Sequence, residues 1–220
     1  HFSVHSESLQ EHPRKEAHHM TIEIKPLSAE LIPSYLDFFD NHAFSDDSPC
    51  GPCYCTSPSM DAASEAQMVS EFGDDVKGTL RRVAINLLIA GRIHGYLAFE
   101  NDIPVGWCNA GDRDSYLGWI PDIARQVSLG KTISVLCFAI APGSRGQGIS
   151  LALLEHVVED AKAQGYAAVE GYPRIQKDRE LYDFNGPLRL FEKAGFVETA
   201  REGDLVVMSK DLREKPVGSD

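Results

Sequence analysis

The sequence predicts a single α/β domain of the mixed, α+β kind, and three observations carry that prediction. An almost unbroken apolar run from Ile133 to Ala141, interrupted only by Ser134, is too short for a membrane span and reads as a buried strand. Pro142 ends it, and a glycine-spaced turn, Gly143-Ser144-Arg145-Gly146-Gln147-Gly148, opens a helix in which Ile149, Leu153, Val157 and Ala161 line one face. Two pairs of short strands flank this unit: Gly95 to Glu100 with Val105 to Ala110 across Asn101-Asp102-Ile103-Pro104, and Phe196 to Arg201 with Leu205 to Lys210 across Glu202-Gly203-Asp204.

At 220 residues and 43% hydrophobic content, the chain can bury one sizeable core. Its net charge of −12 and the lack of a basic cluster argue against a nucleic-acid backbone as partner, while a cationic acceptor is compatible with them. No stretch is long and apolar enough to enter a bilayer, and residues 1–19 lack the apolar centre of a secretory signal. Five cysteines, an odd number with Cys108 and Cys137 inside strand patterns, do not make a secreted disulfide framework, so a cytoplasmic location is expected. Residues 1–19, polar and histidine-rich without a sustained period, read as a flexible leader or tag, leaving one domain over 20–214.

In order, Thr21 to Lys25 alternates as a half-buried strand ended by Pro26. Ser28 is then an expected N-cap for a helix with Leu31, Ile32, Tyr35, Leu36, Phe38 and Phe39 on its apolar face, kinked or split near Pro33. A long loop, 41–59, carries Cys50, Cys53 and Cys55. The spacing Cys50-Gly51-Pro52-Cys53 matches a redox pair, and His42 would extend it toward zinc, but no helix follows the second cysteine and no second C-x-x-C completes a metal set. The loop therefore reads as packing that lines an acceptor pocket, with no metal expected. Helices follow over Asp61 to Phe72 and, after Gly73, to about Ala90, then the first strand pair. After the excursion 111–131 comes the central strand–turn–helix, closed by Gly165 as C-cap. Tyr166 to Tyr172 reads as a further strand, and Leu188 to Ala194 as a short helix before the closing hairpin.

A glycine turn between a buried strand and a helix suits a phosphate, because the first helical N–H groups have no carbonyl partner and the dipole is positive there. Two common phosphate loops fail: a G-x-G-x-x-G starting at Gly146 would need glycine where Leu151 stands, and no G-K-[ST] follows. Instead Arg145-Gly146-Gln147-Gly148-Ile149-Ser150 resembles the R-x-x-G-x-[GA] signature of the GNAT acetyltransferases, with Ser150 at the last small position. Leu190-Phe191-Glu192-Lys193-Ala194-Gly195-Phe196 resembles the family's L-Y-E-K-x-G-F element. The order of elements after Met20 is also similar. The resemblance implies a mixed, mostly antiparallel central sheet of six to seven strands with helices on both faces, and acetyl-CoA as co-substrate.

By the same resemblance, Arg145, Gly146, Gln147, Gly148, Ile149 and Ser150 would hold the pyrophosphate, and the backbone of Phe138, Ala139 and Ile140 the pantetheine arm and acetyl carbonyl. Phe191 stands where the family carries the tyrosine that protonates the departing thiolate, and Asn185 lies one place after the position of the family's asparagine. Both are assigned to the cofactor site. Glu170 is the expected general base and Tyr172 an acid or positioning group, since an ammonium with a pKa of about 10 must lose a proton before it attacks. Asp112, Asp114 and Tyr116 are candidate contacts for a cationic acceptor with an apolar part. Cys137, on an apolar strand, reads as packing rather than as a nucleophile, so direct attack in a ternary complex is expected. The expected function is N-acetylation of a primary amine on a small molecule. Alternatives are a protein amine as acceptor or a non-catalytic acyl-CoA sensor, and a homodimer is compatible with either.

Overall fold

In the computed structural model, residues 21–46, 48, 51–116, 118–127, 130–175 and 183–213 are described. They contain the strands β1 (Ile22–Pro26), β2 (Gly95–Glu100), β3 (Ile103–Asp112), β4 (Thr132–Ile140), β5 (Ala168–Gly171), β6 (Val197–Glu202) and β7 (Leu205–Asp211). These form one seven-stranded sheet in the order β1-β2-β3-β4-β5-β7-β6. Every pairing is antiparallel except the parallel step between β4 and β5. The apolar run thus occupies the middle of the sheet, the only place where a strand can bury both faces.

Helices cover both faces. At β3, Ile149 of α5 (Ile149–Ala163) lies 3.0 Å from where a side chain on Gly106 would begin, so α5 packs on that face. The next residue, Trp107, points to the opposite face, fully buried, with its ring edge-on to Tyr35 of α1 (Ile32–Asp37) at 4.9 Å. The expected stripe of α5 is present: Leu153, Leu154 and Val157 are fully buried. Tyr96 of β2 donates to Asp160 at 2.5 Å and ties the helix to the sheet.

The first helix differs from expectation. Ser28 makes no side-chain cap bond, a 3-10 turn covers Ala29–Leu31, and Pro33 lies in the opening turn of α1, where its missing N–H costs nothing. The irregularity comes later, as a π segment at Phe38–His42. Helices α2 (Ala62–Ser70) and α3 (Val76–Ile89) are shorter than their patterns because Asp61 and Asp75 cap them, accepting from Ser64 N at 2.7 Å and Gly78 N at 2.8 Å. The excursion after β3 folds into a 3-10 turn at Arg113–Tyr116 and the short α4 (Asp122–Arg125). Tyr116, Ile120 and Ala124 there build a second, smaller core with Leu136, Tyr172, Leu205 and Val207. At the end of α5, Gly165 adopts a left-handed φ of 76° and Tyr166 N donates to Ala161 O at 3.0 Å. That bond spends Tyr166 on the helix terminus, so β5 starts at Ala168 rather than at Tyr166.

What positions the site is the parting of β4 from β5. Their register runs from Thr132 opposite Ala168 to Val135 opposite Gly171 and stops. On one side, β4 carries a bulge: Asn109 faces Cys137 and Ala110 faces Val135, leaving Leu136 as the extra residue. On the other side, the chain beyond β5 follows β7 instead, with Val206 N donating to Pro173 O at 3.0 Å and Ile175 N to Asp204 O at 2.8 Å. Gly171 makes the departure feasible, because Phe191 of α6 (Leu188–Lys193) lies 2.3 Å from where its Cβ would be.

Among the described residues no helix is long and apolar enough to cross a membrane. Gly171→Ala must displace the Phe191 ring and is expected to lower stability in urea unfolding by about 1–3 kcal/mol. Gly143→Ala, with nothing within 4 Å of the added methyl group, should change it by less than about 0.5 kcal/mol. Equal effects at the two positions would show that the Gly171–Phe191 contact does not hold the cleft.

Candidate functional site

The glycine turn leaves β4 at its open end. Gly146 and Gly148 have φ values of 75° and 85°, which ordinary side chains disfavour, and nothing lies within 4 Å of either missing Cβ. Gly148 is also the N-cap of α5 and brings no capping side chain. The first helical hydrogen bond runs from Ala152 N to Gly148 O at 3.0 Å, so the amides of Ile149, Ser150 and Leu151 have no acceptor within the helix. Those amides, together with the helix dipole, suit an anion. Ile149 can offer only its amide, since its side chain is buried against β3, while Ser150 is half-buried. Gln147 closes the turn, donating to Gly143 O at 3.1 Å.

Arg145 is not a freestanding charge. Its Nε donates to Ile140 O at 3.1 Å and its Nη1 to Asp46 at 2.5 Å. The guanidinium holds the Asp46 carboxyl below the usual carboxylate range, through the hydrogen bond first and its charge second. A loop that follows α1 thereby reaches over the turn.

Beyond Val135 the edge of β4 has no β5 partner. At the apex Asn185 supplies one substitute, its Nδ2 donating to Leu136 O at 3.1 Å. Phe138 is buried beside Gly186 and makes an edge contact with Phe191 at 6.4 Å, while Ala139 and Ile140 are half-buried. Phe191 itself is fully buried between Gly171 and Phe196 and has no proton to give.

One residue short of the apex lies a buried polar cluster. Glu170 is fully buried and paired in register with Ser134. Its Oε1 accepts from Tyr172 Oη at 2.5 Å and Ser134 Oγ at 3.1 Å, and Arg113 Nη1 stands 3.6 Å away. Among the described residues Oε2 has no hydrogen-bond partner. A carboxylate oxygen without a partner in a closed interior is costly unless something else is meant to meet it. Burial, and then the neighbouring Glu170 carboxylate, push the Tyr172 hydroxyl far above the usual phenol range, so it stays protonated at physiological pH.

The cluster brings together the two residues expected from the sequence and two that were missed. Ser134 had a signal, as the one polar residue in the apolar run. Arg113 had none, because it reaches Glu170 only through the turn after β3. The aspartates fall elsewhere: Asp112 accepts from Tyr166 Oη at 3.2 Å and from Asp114 N at 3.0 Å, at the paired end of β4, and Asp114 is exposed. Their carboxylates are not in the Glu170 cluster. Tyr116 is buried, with its hydroxyl pressed toward Gly111 and without a hydrogen-bond partner among the described residues.

Of the cysteine loop, Cys50 lies outside the described residues. Cys55 reaches β3, its Sγ accepting from Asn109 and its amide donating to Cys53 Sγ, and no group of three or more potential ligands suits a metal ion among the described residues.

Solved structures share this architecture. A GNAT-family protein from Desulfovibrio desulfuricans aligns over 88% of this chain and 100% of its own, at 17% identity and a TM-score of 0.50. The PaiA N-acetyltransferase of Thermoplasma acidophilum, in complex with coenzyme A, aligns over 87% and 99%, at 15% identity and a TM-score of 0.49. For the ribosomal-protein-S18-alanine N-acetyltransferase of Escherichia coli the figures are 91% and 99%, at 13% identity and a TM-score of 0.47. No curated protein matches the sequence. The model of the acetyltransferase (GNAT) family matches residues 62–196, from α2 through α6, the parted strands and the glycine turn included. With more than half of its length inside that match, the chain belongs to the GNAT acetyltransferase family.

Proposed function

We propose that this chain transfers the acetyl group of acetyl-CoA to a primary amine of a small molecule, by direct attack in a ternary complex. The observation that carries it is the buried Glu170 carboxylate, with one oxygen unpartnered among the described residues, one register position short of the apex of the cleft whose far end is the glycine turn. Family membership supports the donor, and the turn fits it: left-handed glycines with open space above them and three free amides at the start of α5. Bound there, acetyl-CoA supplies an activated thioester carbonyl.

The chain's own residues divide the remaining work. Amides 149–151 hold the diphosphate, and the unpaired edge of β4 at Phe138, Ala139 and Ile140 takes the pantetheine arm as a substitute for β5. Asn185 and Phe191 close the inner wall of the arm's path. Glu170 Oε2 accepts the proton that an ammonium group must lose, while Tyr172, Ser134 and Arg113 hold Oε1 and fix the direction of Oε2. The net charge of −12 favours the approach of a cationic acceptor. Tyr116 supports the acceptor side from within the core, whereas Asp112, held by Tyr166, and the exposed Asp114 stand apart from the Glu170 cluster.

One observation favours a second reading, an acyl-CoA sensor without turnover: Phe191 cannot protonate a thiolate. Calorimetry with acetyl-CoA, followed by thiol release across a panel of polyamines, amino sugars, amino acids and peptides, separates the two. Binding with release on a small amine supports the enzyme; binding with no release on any amine supports the sensor.

On the amine found, Glu170→Gln is expected to lower kcat by about 100-fold or more with acetyl-CoA affinity unchanged. Tyr172→Phe, which leaves Oε1 with fewer donors, should lower kcat by about tenfold with little change in KM. Wild-type turnover in Glu170→Gln would remove the carboxylate from the mechanism. Because a diphosphate competes with Asp46 for Arg145, Asp46→Asn should tighten acetyl-CoA binding about two- to fivefold at low salt, and less at high salt. Weaker binding in that variant would make Asp46 part of the site rather than its competitor.

A further inference from the structure

We infer that Cys55 and Cys137 form a thiol–disulfide couple, through which a peroxide clamps the 51–60 segment onto β4 beside the parted strands. The geometry begins in the ladder. Asn109 and Cys137 are direct partners across β3 and β4, so their side chains stand next to each other on one face of the sheet. Asn109 Nδ2 donates to Cys55 Sγ at 3.3 Å, which brings that sulfur onto the same face. The Cys55 sulfur thus rests on the side chain directly across the ladder from Cys137, and both cysteines are free thiols.

Cys55 is held there by more than packing. It is buried, has a left-handed φ of 49° that non-glycine residues seldom adopt, and its amide donates to Cys53 Sγ at 3.2 Å. The neighbouring Cys137 thiol holds the Cys55 thiol below the ordinary range, and Cys55, with burial, drives that of Cys137 up. Within the couple Cys55 is the attacking thiol and Cys137 the resolving one. Cys53 and Cys137 are partly exposed, which gives a small oxidant a route in. Cys108, fully buried and one residue from Asn109 on the opposite side of β3, is pushed up by burial and serves as the inert reference.

The chemistry balances with hydrogen peroxide as the oxidant. The Cys55 thiolate attacks one peroxide oxygen, the O–O bond breaks, and hydroxide leaves and takes a proton to become water. The Cys137 sulfur then attacks the Cys55 sulfenic sulfur, forming the S–S bond and releasing its own proton and hydroxide as a second water. Two thiols lose two electrons in all, and the peroxide gains them. No step needs acetyl-CoA, so the couple can be tested whether or not the transfer reaction holds.

The test is oxidation of the full chain by stoichiometric hydrogen peroxide, followed by thiol titration in denaturant and peptide mapping without reductant. The expected result is loss of two of the five thiols, a Cys55–Cys137 linked peptide, and recovery of both thiols with dithiothreitol. Cys53→Ser should give the same link. Cys137→Ser should leave a Cys55 sulfenic acid that a dimedone probe traps, with Cys108 unlabelled. A Cys53–Cys55 or Cys50–Cys53 link instead, or no loss of thiols in the folded protein, overturns the inference.

Discussion

Everything distinctive in this molecule follows from a disagreement between two adjacent parallel strands. β4 and β5 share four register positions and then separate, because the bulge at Leu136 turns one and the attachment to β7 draws off the other. A sheet interior cannot ordinarily leave backbone groups unpaired, since each lost hydrogen bond in a dry environment is costly. Here the cost is met locally by the side chain of Asn185 on Leu136 O. Along the rest of β4 the edge stays open, and it is there that the proposed function places the pantetheine arm.

The ends of that opening carry different chemistry. At the turn, free amides, the α5 dipole and Arg145 make a positive mouth, moderated by Asp46. One residue short of the apex, the buried Glu170 carboxyl group is held on one oxygen by a phenol, a hydroxyl and a guanidinium. In the proposed reaction the anionic donor meets the turn and the amine meets the Glu170 end. Phe191, with no polar atom, contributes shape alone: its ring fills the space that Gly171 leaves and so keeps α6 close under the parted strands.

The elements with strong periodic signals were legible. The apolar run, the glycine turn and the four-residue stripe of α5 appear where the residues place them, because burial on both faces or on one stripe is written in the local pattern. Boundaries moved where hydrogen bonds that no pattern records took over, as at Tyr166, whose amide closes a helix instead of opening a strand. Near the start, Pro33 predicts a kink or a split: the structure sets it in the first turn of α1, after a separate 3-10 turn at Ala29–Leu31, and a further irregularity falls on Phe38–His42.

The site was legible only in part. Glu170 and Tyr172 alternate on one strand, so their common direction could be read from spacing, and the glycine turn announced itself by composition. What sequence alone determined was therefore the chain's local chemistry: which segments had to be buried, where φ had to be left-handed, and that an anion-binding turn entered a helix. Tertiary structure decided the rest: that Arg113 meets Glu170, that Asp46 crosses to Arg145, that Asn109 brings Cys55 to Cys137, and that Asp112 turns to Tyr166. The physical reason is common to all four. Each contact joins residues far apart in the chain, and its partner is chosen by strand register and loop path, which depend on the whole sheet and leave no trace in the neighbouring residues.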